Sequence, residues 1–147
     1  MKILTTNKKA FFQFEVLETF LAGIKLEGRE IKSIRNSPPH FSGSFVSILN
    51  RRPYLVDLNI PRYTYDGSGD YNPKRKRMLL LKKTEIDRIQ GKLSEKGLTV
   101  VPLEIMLDRQ WAKVKIGVVR GKKLHDKRRV IREREDERAV RRVVKGK

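Results

Sequence analysis

Apolar and polar side chains alternate along this chain with a period that changes several times, and each change marks an element. In "AFFQFEVLETFLAGIKLEG", residues 10–28, Phe12, Phe14 and Val16 alternate with Gln13, Glu15 and Leu17 in a stretch rich in aromatic and β-branched residues. That pattern predicts a pair of strands. In "GREIKSIRNSPP" the apolar residues Ile31 and Ile34 sit three apart and a Pro pair closes the segment, which predicts a short helix. "FVSILN" and "PYLVDLNI", separated by "RRP", predict two more strands, with Phe45, Tyr54, Val56 and Leu58 available for one face.

The stretch "PRYTYDGSGDYNPKRKR", residues 61–77, mixes Tyr, Gly, Pro and a terminal basic cluster, and reads as a long exposed loop. A helix follows in "TEIDRIQGKLSEKG", where Thr84 stands at the cap position, Asp87 comes three residues later, and Ile86, Ile89 and Leu93 form the apolar stripe. Gly97 supplies a left-handed stop. The clearest strand signal is the hairpin "LTVVPLEIML", "DRQ", "WAKVKIGVV". Val101, Leu103, Ile105 and Leu107 alternate on its first strand, and Ala112, Val114, Ile116 and Val118 on its second.

About six strands with inserted helices and no regular βα alternation disfavour a doubly wound sheet. The expected fold class is mainly β, an OB-type β-barrel with peripheral helices, and an open α+β sheet is the alternative. The chain has 147 residues, enough for one small domain with an appendage. It lacks Cys, an apolar run of membrane-spanning length and a signal-peptide pattern, so a cytoplasmic, monomeric protein without disulfides or membrane contact is expected.

Charge changes the picture more than composition does. The formal net charge is +18 at pH 7, and a chain this basic seeks polyanions: the candidates are RNA, DNA and an anionic membrane surface, with nucleic acid favoured. Residues 120–147 carry thirteen basic and five acidic side chains, a far denser excess than the preceding part. The boundary therefore falls near Val119, with a domain at 1–119 and a basic tail at 120–147. The tail has too few apolar residues to fold alone and is expected to be disordered. Glu137 and Arg141, four apart, would support a helix once RNA neutralises the cations.

Candidate chemistry is sparse. His40 and His125 are the only histidines, neither has ligand spacing, and no phosphate loop or nucleophile–base pair appears. Neither an enzyme, nor a metal, cofactor or small-molecule site is expected. The run Lys74, Arg75, Lys76 and Arg77, with Lys82 and Lys83 beyond "MLLL", reads as a ridge facing RNA, whereas the leucines themselves are expected to enter the core. Tyr63, Tyr65 and Tyr71 would either stack on unpaired bases or close over the barrel mouth. Glu30, an acid in a basic protein, would orient a neighbouring cation, accept from RNA, or simply favour the helix start.

"NKKAFFQFEVLETFLAGIKLEGREIKSIR", "KRMLLLKKTEI" and "EKGLTVVPLEI…KVKIGVVRGKKLHDKR", in that order, resemble the bacterial SsrA-binding protein family over nearly the whole chain. The resemblance implies an OB-fold adaptor that binds the tRNA-like domain of transfer-messenger RNA and delivers it to stalled ribosomes for trans-translation. It also implies that the barrel grips that domain while the tail becomes helical in the mRNA channel at the small-subunit decoding centre. The RNA-binding positions expected from the resemblance and the basic run together are Asn7, Lys8, Lys9, Gly28, Glu30, Lys32, Ser33, Arg35, Lys74, Arg75, Lys76, Arg77, Leu81 and Lys82. In the tail, the decoding-site positions it implies are Gly121, Lys122, Lys123, His125, Asp126, Lys127 and Arg128, with the family's apolar pair near the C-terminus at Val143 and Val144. The chain departs from the family pattern at Arg29, commonly Thr, at Asn59, often His, and at Lys82, often Asn or His. On charge alone, a structural ribosomal protein with a basic extension is the second reading.

The charge excess makes a first prediction. RNA affinity should fall linearly on a log–log plot against salt, by roughly 0.7 to 0.9 per phosphate contact, in filter binding across a KCl series. A flat salt dependence would remove the electrostatic basis of the reading.

Overall fold

In the computed structural model the described residues are 1–67 and 69–121. Seven strands and three helices follow the order β1 (Lys2–Thr6), α1 (Lys8–Gln13), β2 (Phe14–Ile24), α2 (Gly28–Asn36), β3 (Phe45–Leu49), β4 (Arg52–Val56), β5 (Arg77–Leu80), α3 (Lys83–Leu93), β6 (Leu98–Asp108) and β7 (Trp111–Gly121). The strands form one sheet in the order β1-β6-β7-β2-β5-β4-β3, with every pairing antiparallel. The sheet curls until β3 lies against β6, yet no ladder joins them. The result is an OB-like β fold whose barrel is not closed.

Seven strands form where the hydrophobic pattern predicts about six. The expected strand pair over 10–28 is instead a helical turn followed by one strand of eleven residues. Asn7 sets that turn: its side-chain oxygen accepts from Ala10 N–H at 3.2 Å, its Nδ2 donates to Pro102 O at 2.8 Å, and its own N–H donates to Leu103 O at 2.7 Å. A capping Asn anchored to a neighbouring strand overrides the strand preference of Phe11 and Phe12. β1 and β5 are strands the pattern misses, because each is short and completed by pairing with distant residues.

The apolar phase of two other elements also differs from the expectation. In the β3–β4 hairpin, Val46, Pro53 and Leu55 are buried, not Phe45, Tyr54 and Val56. Leu58 is buried nonetheless, because Asp57 has φ +62° and breaks the alternation after Val56. In β6 a register shift between Pro102 and Glu104 sends Val101 and Leu103 to one face and Ile105 and Leu107 to the other. The face of β7 is as expected, with Ala112, Val114, Ile116 and Val118 all in the main core. α3 begins one residue before Thr84, and its first turn is completed by Glu85, which accepts from Lys82 N–H at 2.9 Å.

The main core gathers Phe20, Ala22, Ile24, Ile34, Val46, Leu55, Leu79, Ile89, Ile105 and Ile116 inside the curl of the sheet. A smaller cluster of Ala10, Val101, Leu103 and Val119, with Phe14 and Val16, lies on the other face and seats α1. Gly117 makes that second cluster possible, since a Cβ there would stand 2.7 Å from Leu103 Cδ1 and 3.4 Å from Val16 Cγ1. Replacing Gly117→Ala should therefore destabilise the fold by about 1–3 kcal/mol in urea titration. The double variant Gly117→Ala, Leu103→Val should recover part of that loss, whereas full additivity of the two changes would show that the close approach is not limiting.

Candidate nucleic-acid interface

The elements that carry most of the expected site residues converge on α2. Its first turn places Glu30 facing inward, where the carboxylate has 0% exposure. Oε1 accepts from Glu27 N–H at 2.8 Å, which closes the helix start, and from Arg75 Nη2 at 2.6 Å. Oε2 accepts from Arg77 Nε at 2.7 Å. Burial pushes this carboxyl up, but the hydrogen bonds from Arg75 and the Glu27 backbone, with the Arg77 charge, outweigh it and hold Glu30 below the ordinary carboxylate range.

Arg77, expected on the exposed ridge, is instead inside the protein with 0% exposure. Beyond Glu30 its guanidinium donates to Leu58 O at 2.6 Å and to Pro73 O at 3.0 Å, so it ties β5 to both ends of the segment before it. A charge can be buried when it is paired and hydrogen-bonded, and here each of the three guanidinium nitrogens reaches an oxygen. The sequence carried a usable signal: Arg77 and Leu79 stand two apart at the start of a strand and share a face, and Leu79 is core.

The segment 61–76 is a loop, as expected, but it is pinned rather than free. Ser33 Oγ donates to Pro61 O at 2.5 Å, and Tyr71 Oη donates to Ile60 O at 2.7 Å. Arg29 pairs with Asp66 at 3.3 Å, donates to Asp70 O at 3.1 Å, and lies 4.9 Å from the Tyr71 ring centre. Arg62 reaches Asp66 at 3.3 Å and Gly69 O at 2.6 Å. Of the three loop tyrosines, Tyr71 is thus an internal strut, Tyr63 packs edge-on against Tyr65 at 5.6 Å with Lys32 Nζ 5.9 Å from its ring, and Tyr65 is 81% exposed. Asp66 and Arg62 are participants that charge and motif reading passed over, because their partners are defined only once the loop folds onto α2.

What remains at the surface is a set of cations around this scaffold. Gly28, Lys32, Arg35, Lys74 and Lys76 are exposed, Arg75 is part-exposed, and Ser33 is buried. Lys76 Nζ stands 5.3 Å from the Tyr54 ring, and Arg35 Nη2 reaches Arg109 O at 3.5 Å on the β6–β7 turn. Leu79 enters the core as expected, Leu80 points outward, and Leu81 packs at the core edge beside exposed Lys82. Asn7, Lys8 and Lys9 belong to a separate group on α1 against β6. Gly121 ends β7 opposite Phe14, two residues beyond the expected boundary at Val119, while Lys122, Lys123, His125, Asp126, Lys127, Arg128, Val143 and Val144 lie outside the described residues. Among the described residues no helix is long and apolar enough to cross a membrane.

A curled, nearly closed β sheet with a cationic surface held by one buried carboxylate suits a backbone-contacting RNA binder. Comparison with known families agrees: the family model described as SmpB protein matches residues 4–146. The chain belongs to the SmpB family. It is 47% identical to the SsrA-binding protein of Thermosipho melanesiensis, over 99% of this chain and 100% of the relative. It is 45% identical to the SsrA-binding protein of Synechococcus sp. strain JA-3-3Ab, over 100% and 96%. A chain of the solved structure described as "tmRNA-SmpB: a journey to the center of the bacterial ribosome" is 40% identical, with TM-score 0.73, covering 90% of this chain and 96% of that one. The OB-like reading of this SmpB fold thus holds with its barrel left open.

Two outcomes follow from the Glu30 cluster. Glu30→Ala strands the Arg77 charge in the interior and should cost about 3–5 kcal/mol in thermal or urea unfolding. Combining it with Arg77→Met should cost less than the sum of the single changes, and additivity would argue against a coupled pair. Because the folded state lowers the Glu30 pKa, its contribution is fully present above the unfolded glutamate value of about 4.3 and is lost as pH falls through the folded value. Glu30→Gln should therefore flatten Tm against pH below about pH 4.3, and a profile parallel to the parent would remove the linkage.

Proposed function

We propose that this chain is the adaptor that binds the tRNA-like domain of transfer-messenger RNA and delivers it to stalled ribosomes, supporting peptide tagging by trans-translation. One observation carries the reading: a match over nearly the full length of the SsrA-binding protein family, together with a 40% identical chain in a tmRNA–SmpB ribosome structure. The place of action is then the ribosome, in the cytoplasm. The chemistry asked of the protein is recognition of RNA and no bond is made or broken, which agrees with the absence of a nucleophile–base pair from the sequence.

At residue level, the folded part engages the tRNA-like domain through Lys32, Arg35, Lys74, Arg75, Lys76 and Lys82. Glu30 and Arg77 act behind them, as positioning residues. Of the readings open for Glu30, orienting a neighbouring cation is the one its burial and its 2.6 Å bond to Arg75 support. The basic tail acts after delivery. There His125 offers an imidazole for stacking, and Lys127 and Arg128 offer phosphate contacts at the decoding site.

This division makes separable predictions. A fragment ending at Gly121 should keep its preference for the tRNA-like domain over an RNA duplex of equal charge, measured by competition binding. Glu30→Ala, assayed at a temperature where it is fully folded, should bind that RNA more weakly even though removal of a negative charge favours binding on Coulomb grounds. Tighter binding would assign Glu30 to the fold alone. Alanine at His125, Asp126, Lys127 and Arg128 together should leave RNA affinity within about twofold, since the contacts at stake are made elsewhere, and should abolish tagging on stalled ribosomes. Normal tagging, or a parallel collapse of RNA affinity, would reduce these residues to general electrostatic attraction.

A further inference from the structure

On the face of the sheet that carries α1, away from the Glu30 cluster, a cleft of about 650 Å³ opens between α1 and the segment 39–45. Its walls include Phe14, Phe41 and Phe45, and Lys8, Lys9 and His40 are exposed where they line it. Among the described residues none that lines it is Asp or Glu. That sets it apart from the α2 surface, where most arginines already face carboxylates. Neither Lys8 nor Lys9 has an ion pair among the described residues.

Both walls are fixed before anything binds. α1 is held by the three hydrogen bonds of Asn7 to Ala10, Pro102 and Leu103. The opposite wall is held by the reciprocal backbone pair of His40 and Asn59, at 2.8 and 3.1 Å, and by Ser44, whose Oγ donates to Phe41 O at 2.5 Å. Gly43, at φ +78°, makes the turn between Phe41 and Phe45. A pre-formed concavity of this volume takes a ligand of small-molecule size, and aromatic walls with unpaired cations at the rim select one that is flat at one end and anionic at the other.

We infer that this cleft is a nucleotide pocket that receives one unstacked nucleotide of single-stranded RNA. The base lies against the Phe41 wall and the adjoining phosphates meet Lys8 and Lys9. The occupant is RNA and not the chain's own basic tail, because a cleft that among the described residues has two lysines without an ion pair and no carboxylate repels a segment of net positive charge. The pocket rests on the RNA-adaptor reading and adds to it a second contact, made to unpaired rather than folded RNA.

The test uses the full-length chain, labelled with ¹⁵N, and three probes: a uridine pentanucleotide, a 12-base-pair RNA duplex and inorganic phosphate. Saturable shifts of the Lys9, Phe41 and Gly43 amides are expected with the pentanucleotide and not with the other two. Phe41→Leu, which keeps an apolar side chain against the core, should weaken pentanucleotide binding about tenfold and change duplex affinity by less than about twofold. Lys8→Ala with Lys9→Ala should reduce the salt slope for the pentanucleotide by about 1.4. The pocket is overturned if the duplex or phosphate moves the same amides equally, or if Phe41→Leu is without effect. It is also overturned if those amides shift with protein concentration alone, which would make the cleft a contact between copies. Binding of the tRNA-like domain is measured in parallel. Normal binding there with a silent cleft overturns the pocket only, whereas loss of that binding overturns the adaptor reading whatever the cleft does.

Discussion

The ion pair between Glu30 and Arg77 is the interaction on which the arrangement of this protein's surface depends. Removing two opposite charges from water costs several kcal/mol for each, and their attraction compensates only when the remaining donors and acceptors are also satisfied. Here they are: the carboxylate accepts from two guanidinium groups and a backbone N–H, and the buried guanidinium reaches two carbonyls as well. The pair therefore fixes geometry more than it adds stability. It sets the start of α2 against the start of β5 and leaves the segment between β4 and β5 one path to follow.

That constraint explains how an acidic residue serves a polyanion binder. Arg75 shares Glu30 with Arg77, but only Arg77 is sealed from solvent, so one carboxylate holds one cation as a strut and presents the other at the edge. Burial raises the Glu30 pKa on its own, and the two arginines with the Glu27 backbone N–H reverse the sign, so the carboxyl sits below the ordinary carboxylate range. Arg29, Arg62 and Asp66 extend the same logic outward: cations paired with carboxylates shape the loop, while Lys32, Lys74 and Lys76 stand exposed around it.

Sequence patterning was legible where a single element decides its own burial. The apolar stripe of α3 and the inward face of β7 follow from period alone, whereas in α2 the period finds the helix and Ile34 but places Glu30, which is buried, off the apolar stripe. It failed where a distant partner decides. Phe11 and Phe12 favour a strand until Asn7 bonds to Pro102 and Leu103. The face of β6 changes at a bulge whose register belongs to the ladder and not to the residues. Arg77 reads as one member of a basic run because neighbouring charges in sequence dominate the impression, although its two-residue spacing from Leu79 places it inside. The candidate surface was recovered as a set of residue types, but the split between struts and contacts needed the fold.

The pinning of the 61–76 loop also governs how the protein opens. Pro61, Asp66 and Arg75 are bonded to α2 through Ser33, Arg29 and Glu30, and the Tyr71 ring lies under the Arg29 guanidinium while its hydroxyl donates to Ile60 O at the start of the loop. A loop tied at one point frays residue by residue, whereas one tied at several points to a single helix opens only when the helix leaves. The helix and the loop thus form one cooperative unit, with a common opening free energy that amide hydrogen exchange would report as a shared protection factor. A protease approaching this loop would meet sites gated by the melting of α2, a helix that begins far back in the chain at Gly28.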